Sequence, residues 1–234
     1  NDIQMSNAGS QNTYNKFDAT NFKVGQLNGT LSDFILSNDS IGVNIKKLSA
    51  FLDKKVSPIL FSGKVVKSVN NISASDIDLH HGKTELKGDV SASFFRKNTN
   101  SKLKLLDSKI DLRSVVLNQN DLVYFVPAEL EKKYFSQPWP DIEMNITANG
   151  NMEKLAVNNF HLKAGTNTTL ESKFTLTNIE NPESIGFDIL VFKLVTSRTD
   201  LEMIPVPGLI PASIRVPEMI SINTQGKGTV KNFN

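Results

Sequence analysis

The chain has three histidines, His80, His81 and His161, and no cysteine, so thiolate chemistry is excluded and metal ligation rests on three imidazoles and the carboxylates. His80 and His81 are neighbours in an alternating run, where adjacent side chains point to opposite faces of a strand. They cannot grip one ion in the usual geometry, and no metal site is expected. Asp76 and Asp78 share a strand face, and Glu129 and Glu131 sit on a helical stretch. Paired carboxylates are the raw material of glycoside hydrolysis, but acids two apart at a strand start are ordinarily a solvated face. There is no Gly-x-Ser-x-Gly, no His-Glu-x-x-His and no P-loop, and Gly226-Lys-Gly228 lacks the third glycine and the strand-to-helix setting of a dinucleotide site. No catalytic residue and no cofactor is assigned. Trp139, between Pro138 and Pro140, could offer its ring to a sugar or a membrane surface. Its commoner use would be to plug a groove end or a helix-to-strand junction.

The elements that would carry these residues follow a phrase written twice. Ile77-Asp-Leu79 leads through Gly82 to Thr84-Glu-Leu86 and Val90; Phe160-His-Leu162 leads through Gly165 to Thr169-Leu170 and Phe174. Each copy alternates apolar and polar residues, turns at a glycine and alternates again, as the two strands of a hairpin should. Leu79 and Leu162 are 83 residues apart. Asn120-Asp121-Leu and Thr199-Asp200-Leu recur 79 residues apart, and both offer capping side chains for short helices near Asn120–Tyr134 and Arg198–Ile204. Asp121 and Asp200 are read as equivalent, at or next to the caps. Extended runs ending at Gly63, Gly150 and Gly226 mark the same period, giving units of about 80 residues with approximate breaks near 58, 140 and 220. Strands a few residues long are expected from Phe17 onward, with a bulge near Leu105-Leu106. Residues 1–16 are aperiodic and read as a disordered lead-in or loop, ahead of a repeat segment over 17–234.

Composition narrows the function classes. Hydrophobic residues make up 39% and charged residues 21%, and the net charge of +2 comes with lysines in scattered pairs rather than a basic stripe, so nucleic acid is not an expected partner. No run approaches the roughly 20 apolar residues of a membrane helix, and Asn1–Asn15 is polar, so the chain reads as an excised segment or mature fragment. Five Asn-x-Ser/Thr sequons carry no weight, since 25 asparagines with 37 serines and threonines produce about four by chance.

The order of these phrases resembles the AsmA-like and TamB-like envelope proteins, with an Asn- and Lys-rich composition similar to members from Bacteroidota. The resemblance covers roughly residues 17–234. It implies a mainly β fold: a repeated, curled antiparallel sheet, taco-like in section, forming an elongated apolar groove with short helices between units. It further implies a periplasmic, non-enzymatic lipid-conduit segment of a protein anchored in the inner membrane, acting in phospholipid transport to the outer membrane and in outer-membrane biogenesis. Its partners would be phospholipid acyl chains and an outer-membrane assembly barrel, with membrane contact made through segments missing from this chain. A sixteen-carbon acyl chain needs on the order of 12 kcal/mol of apolar cover at about 0.8 kcal/mol per methylene, which a continuous apolar wall supplies.

The candidate lining residues are Ile77, Leu79, Leu86, Val90, Ile142, Met144, Ile146, Phe160, Leu162, Leu170, Phe174, Leu176, Ile189 and Val191. Their alternation alone favours the filled core of a closed β-sandwich, because one apolar face per strand is the default for antiparallel sheet, and the resemblance reverses that preference. An extracellular β-rich adhesin or glycan-binding module, with Trp139 and the Asn-rich loops as its binding face, is the alternative function.

Overall fold

The structure, a computed structural model, describes residues 3–6, 21–52, 57–95, 104–135, 137–204 and 214–230. Its strands are β1 (Ile3–Ser6), β2 (Asn21–Leu36), β3 (Ser40–Leu52), β4 (Ile59–Ser68), β5 (Asn71–His81), β6 (Thr84–Phe95), β7 (Lys104–Leu117), β8 (Ile142–Gly150), β9 (Lys154–Ala164), β10 (Thr168–Thr177), β11 (Gly186–Ser197) and β12 (Met219–Thr229). They pair in sequence order as one open antiparallel sheet of twelve strands, so each connection is local. Helices α1 (Gln119–Leu122), α2 (Ala128–Tyr134) and α3 (Arg198–Glu202) lie within the β7–β8 and β11–β12 connections, with a 3-10 turn at Val123–Phe125. A second 3-10 turn at Pro182–Ser184 has no counterpart in the expected elements. Of the segment read as a lead-in, Ile3–Ser6 forms β1 paired with β2, and the rest of 1–16 lies outside the described residues.

The strands are longer than the short runs expected from the sequence, and the reason is bulging. In β3 the apolar alternation breaks between Ile45 and Leu48, three residues apart, which in a regular strand would throw them onto opposite faces. The register shifts there, and one extra residue returns Leu48 to the face of Ile45. The same three-residue step with a register shift occurs at Leu112/Val115 in β7 and Val191/Leu194 in β11. In β5 it falls at Ala74/Ile77 and in β9 at Val157/Phe160. The β3 type thus recurs in β7 and β11 and the β5 type in β9, a period of four strands. The bulge expected near Leu105-Leu106 is present, with the shift at Ser93/Phe94 against Asp107 and Leu105.

Bulging keeps the apolar residues of successive strands on one face, which also carries Thr84, Ser108, Ser172 and Thr196. Cross-strand partners run Leu48, Phe61, Leu79, Leu86, Val115, Met144, Leu162, Leu170, Leu194 and Ile222, one from each strand of β3 to β12. A parallel row runs Val43, Val65, Ala74, Val90, Ile110, Ala148, Val157, Phe174 and Ile189. Pairs of this kind stabilise a sheet by roughly 0.2–1 kcal/mol each. The opposite face is mainly polar, with Leu60, Val116 and Leu190 among its apolar residues: His80 stands beside Asp78, Glu85 and Lys87, and Asn159 donates to Asn145 at 2.9 Å. Apart from its chain-adjacent helix, no strand makes substantial contact beyond its two neighbours, so no second sheet covers the apolar face among the described residues.

Candidate functional site

All fourteen candidate residues lie on the one apolar face, as their cross-strand partners and two-residue spacings require. Only Ile77 among them is buried; the other thirteen are half-buried. Among the described residues six apolar side chains are buried: Ala50, Ile77, Val115, Ala148 and Val157, which belong to this face, and Tyr124. A closed sandwich would bury such a row almost completely; here the face packs edge to edge along the sheet and remains accessible from above. Phe160 and Phe174 meet edge to face with centroids 6.0 Å apart, a favourable aromatic geometry.

Two like constellations hold the helix end of the sheet. Asn118 accepts the N–H of Asn120 and caps α1, and Ser197 accepts the N–H of Asp200 and caps α3. The caps are therefore Asn118 and Ser197 rather than Asn120, Asp121, Thr199 or Asp200. This frees the aspartates, which sit in the first turn and reach sideways to a hairpin tip. Asp121 accepts the backbone N–H groups of Lys83 and Thr84 at 2.7 and 2.9 Å. Asp200 accepts those of Thr166 and Asn167 at 3.3 and 2.8 Å, and the Thr168 hydroxyl at 3.0 Å. The turn glycines explain the spacing. Gly82 and Gly165 have φ of +60° and +63°, and a Cβ on either would stand 2.1 or 2.5 Å from the facing aspartate oxygen. Thr84 and Thr168 tie each hairpin to the end of the strand that follows it, Thr84 by accepting the Asn118 N–H at 3.1 Å and Thr168 through the Thr196 hydroxyl at 2.8 Å.

Burial pushes the Asp200 carboxyl up, but the N–H groups of Asn167 and Thr166 and the hydroxyls of Thr168 and Ser197 outweigh it and hold the group below its ordinary value. These aspartates are latches between a helix and a hairpin: Asp121 takes both N–H groups on Oδ2, and Asp200 accepts on both of its oxygens.

Gln119 secures the next turn of chain. Its amide donates to the carbonyls of Phe135 and Gln137 at 3.1 and 2.9 Å, and its oxygen accepts the Trp139 N–H at 2.9 Å. Trp139 is thereby half-buried, its ring edge-on to Phe135 at 5.6 Å. It stands at the helix-to-strand junction and walls a cleft of about 340 Å³ with α2, α3 and the ends of β8 to β10. Local sequence patterns do not bring Met203 and Ile204 to this place, because their partners are a unit away in the chain.

The histidines divide as the alternation requires. His80 and His161 are on the polar face beside acidic residues, and His81 is buried on the apolar side with its ring edge against Phe125. Among the described residues no group of three or more His, Asp or Glu could hold a metal ion. No protein-family model, curated protein or solved structure matches the chain.

Proposed function

We propose that this chain is a lipid-conduit segment in which the apolar face of the sheet works as the wall of a groove for phospholipid acyl chains. The observation that carries the reading is the apolar row across ten strands with no second sheet over it among the described residues, the helical connections touching only its one end. Nine inter-strand steps of about 4.8 Å make the row roughly 43 Å long, against a hydrocarbon thickness of about 30 Å for a whole bilayer. A chain from one leaflet can lie along it fully covered on one side, with its headgroup in water. The bulges fit this use, because they keep the face apolar across breaks in alternation. The resemblance to AsmA-like and TamB-like proteins supports a periplasmic setting, an outer-membrane destination and an assembly barrel as partner. The adhesin or glycan-binding alternative needs a presented Trp139 ring, and that ring is turned into the Phe135 side of a cleft.

Photo-crosslinking tests the reading. A photoreactive residue at Val90 or Phe174, expressed in a diderm host, should give phospholipid adducts; the same residue at Asn159 on the polar face should not. Equal labelling at the three positions, or none, would refute it.

A further inference from the structure

We infer that the cleft between α2 and α3 is a discrete binding site for a single alkyl chain, walled by Tyr134, Phe135, Trp139, Met203 and Ile204 and floored by Leu162. The inference rests on the lipid reading above but names a bounded site that the open face does not itself supply. Its lining decides the ligand. Asp200 and Thr168 are the two polar groups at its base, and both are engaged: Asp200 accepts from Thr166, Asn167 and Thr168, and Thr168 pairs with Thr196. Neither is left over for a polar ligand. A headgroup, sugar or peptide backbone would lose its water for at most the Tyr134 hydroxyl and the Trp139 indole N–H, whereas a hydrocarbon loses nothing. The volume, about 340 Å³, lies in the range of small-molecule sites. Leu162 and Ile142 continue directly into the apolar rows, so a chain on the sheet can enter without crossing water. Gln119 fixes the Trp139 wall from behind, which makes the site preformed rather than a gap between mobile side chains.

Trp139 is the only tryptophan in the chain and reports occupancy directly. Below its micelle concentration, a fatty acid brominated along the chain should quench Trp139 emission saturably, with reversal by the unbrominated acid. Shortening the chain by one methylene should weaken binding about fourfold, the equivalent of about 0.8 kcal/mol. Met203→Glu, at a half-exposed rim position, should weaken it at least tenfold with the circular dichroism spectrum unchanged, and Ile204→Glu should do the same. Quenching by brominated phosphatidylcholine vesicles as well as by the free acid would assign the chain to bilayer lipid, and quenching by the acid alone to a free alkyl acid. Absent or non-saturating quenching, or affinity within twofold of native in both folded variants, overturns the site. If Trp139 is quenched while Val90 and Phe174 give no adducts, the conduit reading falls and the cleft stands. If adducts form without quenching, the cleft falls and the conduit reading stands.

Discussion

Replacing Asp200 by Ala removes a latch without touching the helix cap. The Asp200 backbone N–H still donates to Ser197, so α3 keeps its first turn, while the N–H groups of Thr166 and Asn167 and the hydroxyl of Thr168 lose their acceptor. Hydrogen bonds to a charged group contribute about 1.5–3 kcal/mol each. Thr166 and Asn167 are exposed at the hairpin tip and can turn to water, and Thr168 retains Thr196, so the net cost should be about 2–3 kcal/mol. Asp121→Ala loses two such bonds from a half-buried carboxylate and should cost less, about 1–2 kcal/mol. Equilibrium urea unfolding of both variants reads these values from the shift in midpoint. Acid supplies an independent axis. Because the folded-state pKa of Asp200 lies below its ordinary value, its contribution is complete above the ordinary carboxylate range and is lost as pH falls through the depressed value. The difference between native protein and Asp200→Asn should therefore be constant near neutrality and shrink below about pH 4. A cost under about 0.5 kcal/mol for Asp200→Ala, or a gap between native and Asn variants that widens in acid, would refute the latch.

Other substitutions probe the hairpin turn, the Trp139 loop and the apolar face separately. Gly165→Ala places a Cβ 2.5 Å from the Asp200 carboxylate at a positive φ and should destabilise by more than about 1 kcal/mol in urea unfolding, with Asp200→Ala relieving part of that cost in the double variant. Gln119→Ala frees the Trp139 loop, so tryptophan emission should shift to the red while far-ultraviolet circular dichroism stays the same. Leu162→Glu and Leu170→Glu put a charge on a half-buried, accessible face and should leave the sheet folded while blocking lipid adducts. Val157→Glu at 3% exposure buries the charge and should cost several kcal/mol.

The β character and the common face of the dispersed apolar residues were legible from period-two alternation, and the two helix-bearing connections from capping residues, both local properties. Strand length was not. The alternation slips by one residue between Ile45 and Leu48, which in sequence looks like a break between short strands, and only the neighbouring strand shows that the slip restores the face. The aspartates show a similar limit. Their recurrence 79 residues apart was visible, and a cap is the local use for Asp before an apolar turn. Their actual acceptor role depends on a hairpin 32 to 38 residues earlier in the chain, which no local rule reaches. Whether the apolar face met a second sheet or stayed open was likewise undetermined by alternation, which is the same in both.

Lipid carried through purification shows whether the apolar face holds acyl chains. Native mass spectrometry of the chain produced in a diderm host and purified in mild detergent should show phospholipid adducts, and Leu162→Glu with Leu170→Glu should remove them while the circular dichroism spectrum holds. Protein free of phospholipid after gentle purification, and still free after incubation with phospholipid vesicles, would contradict the groove.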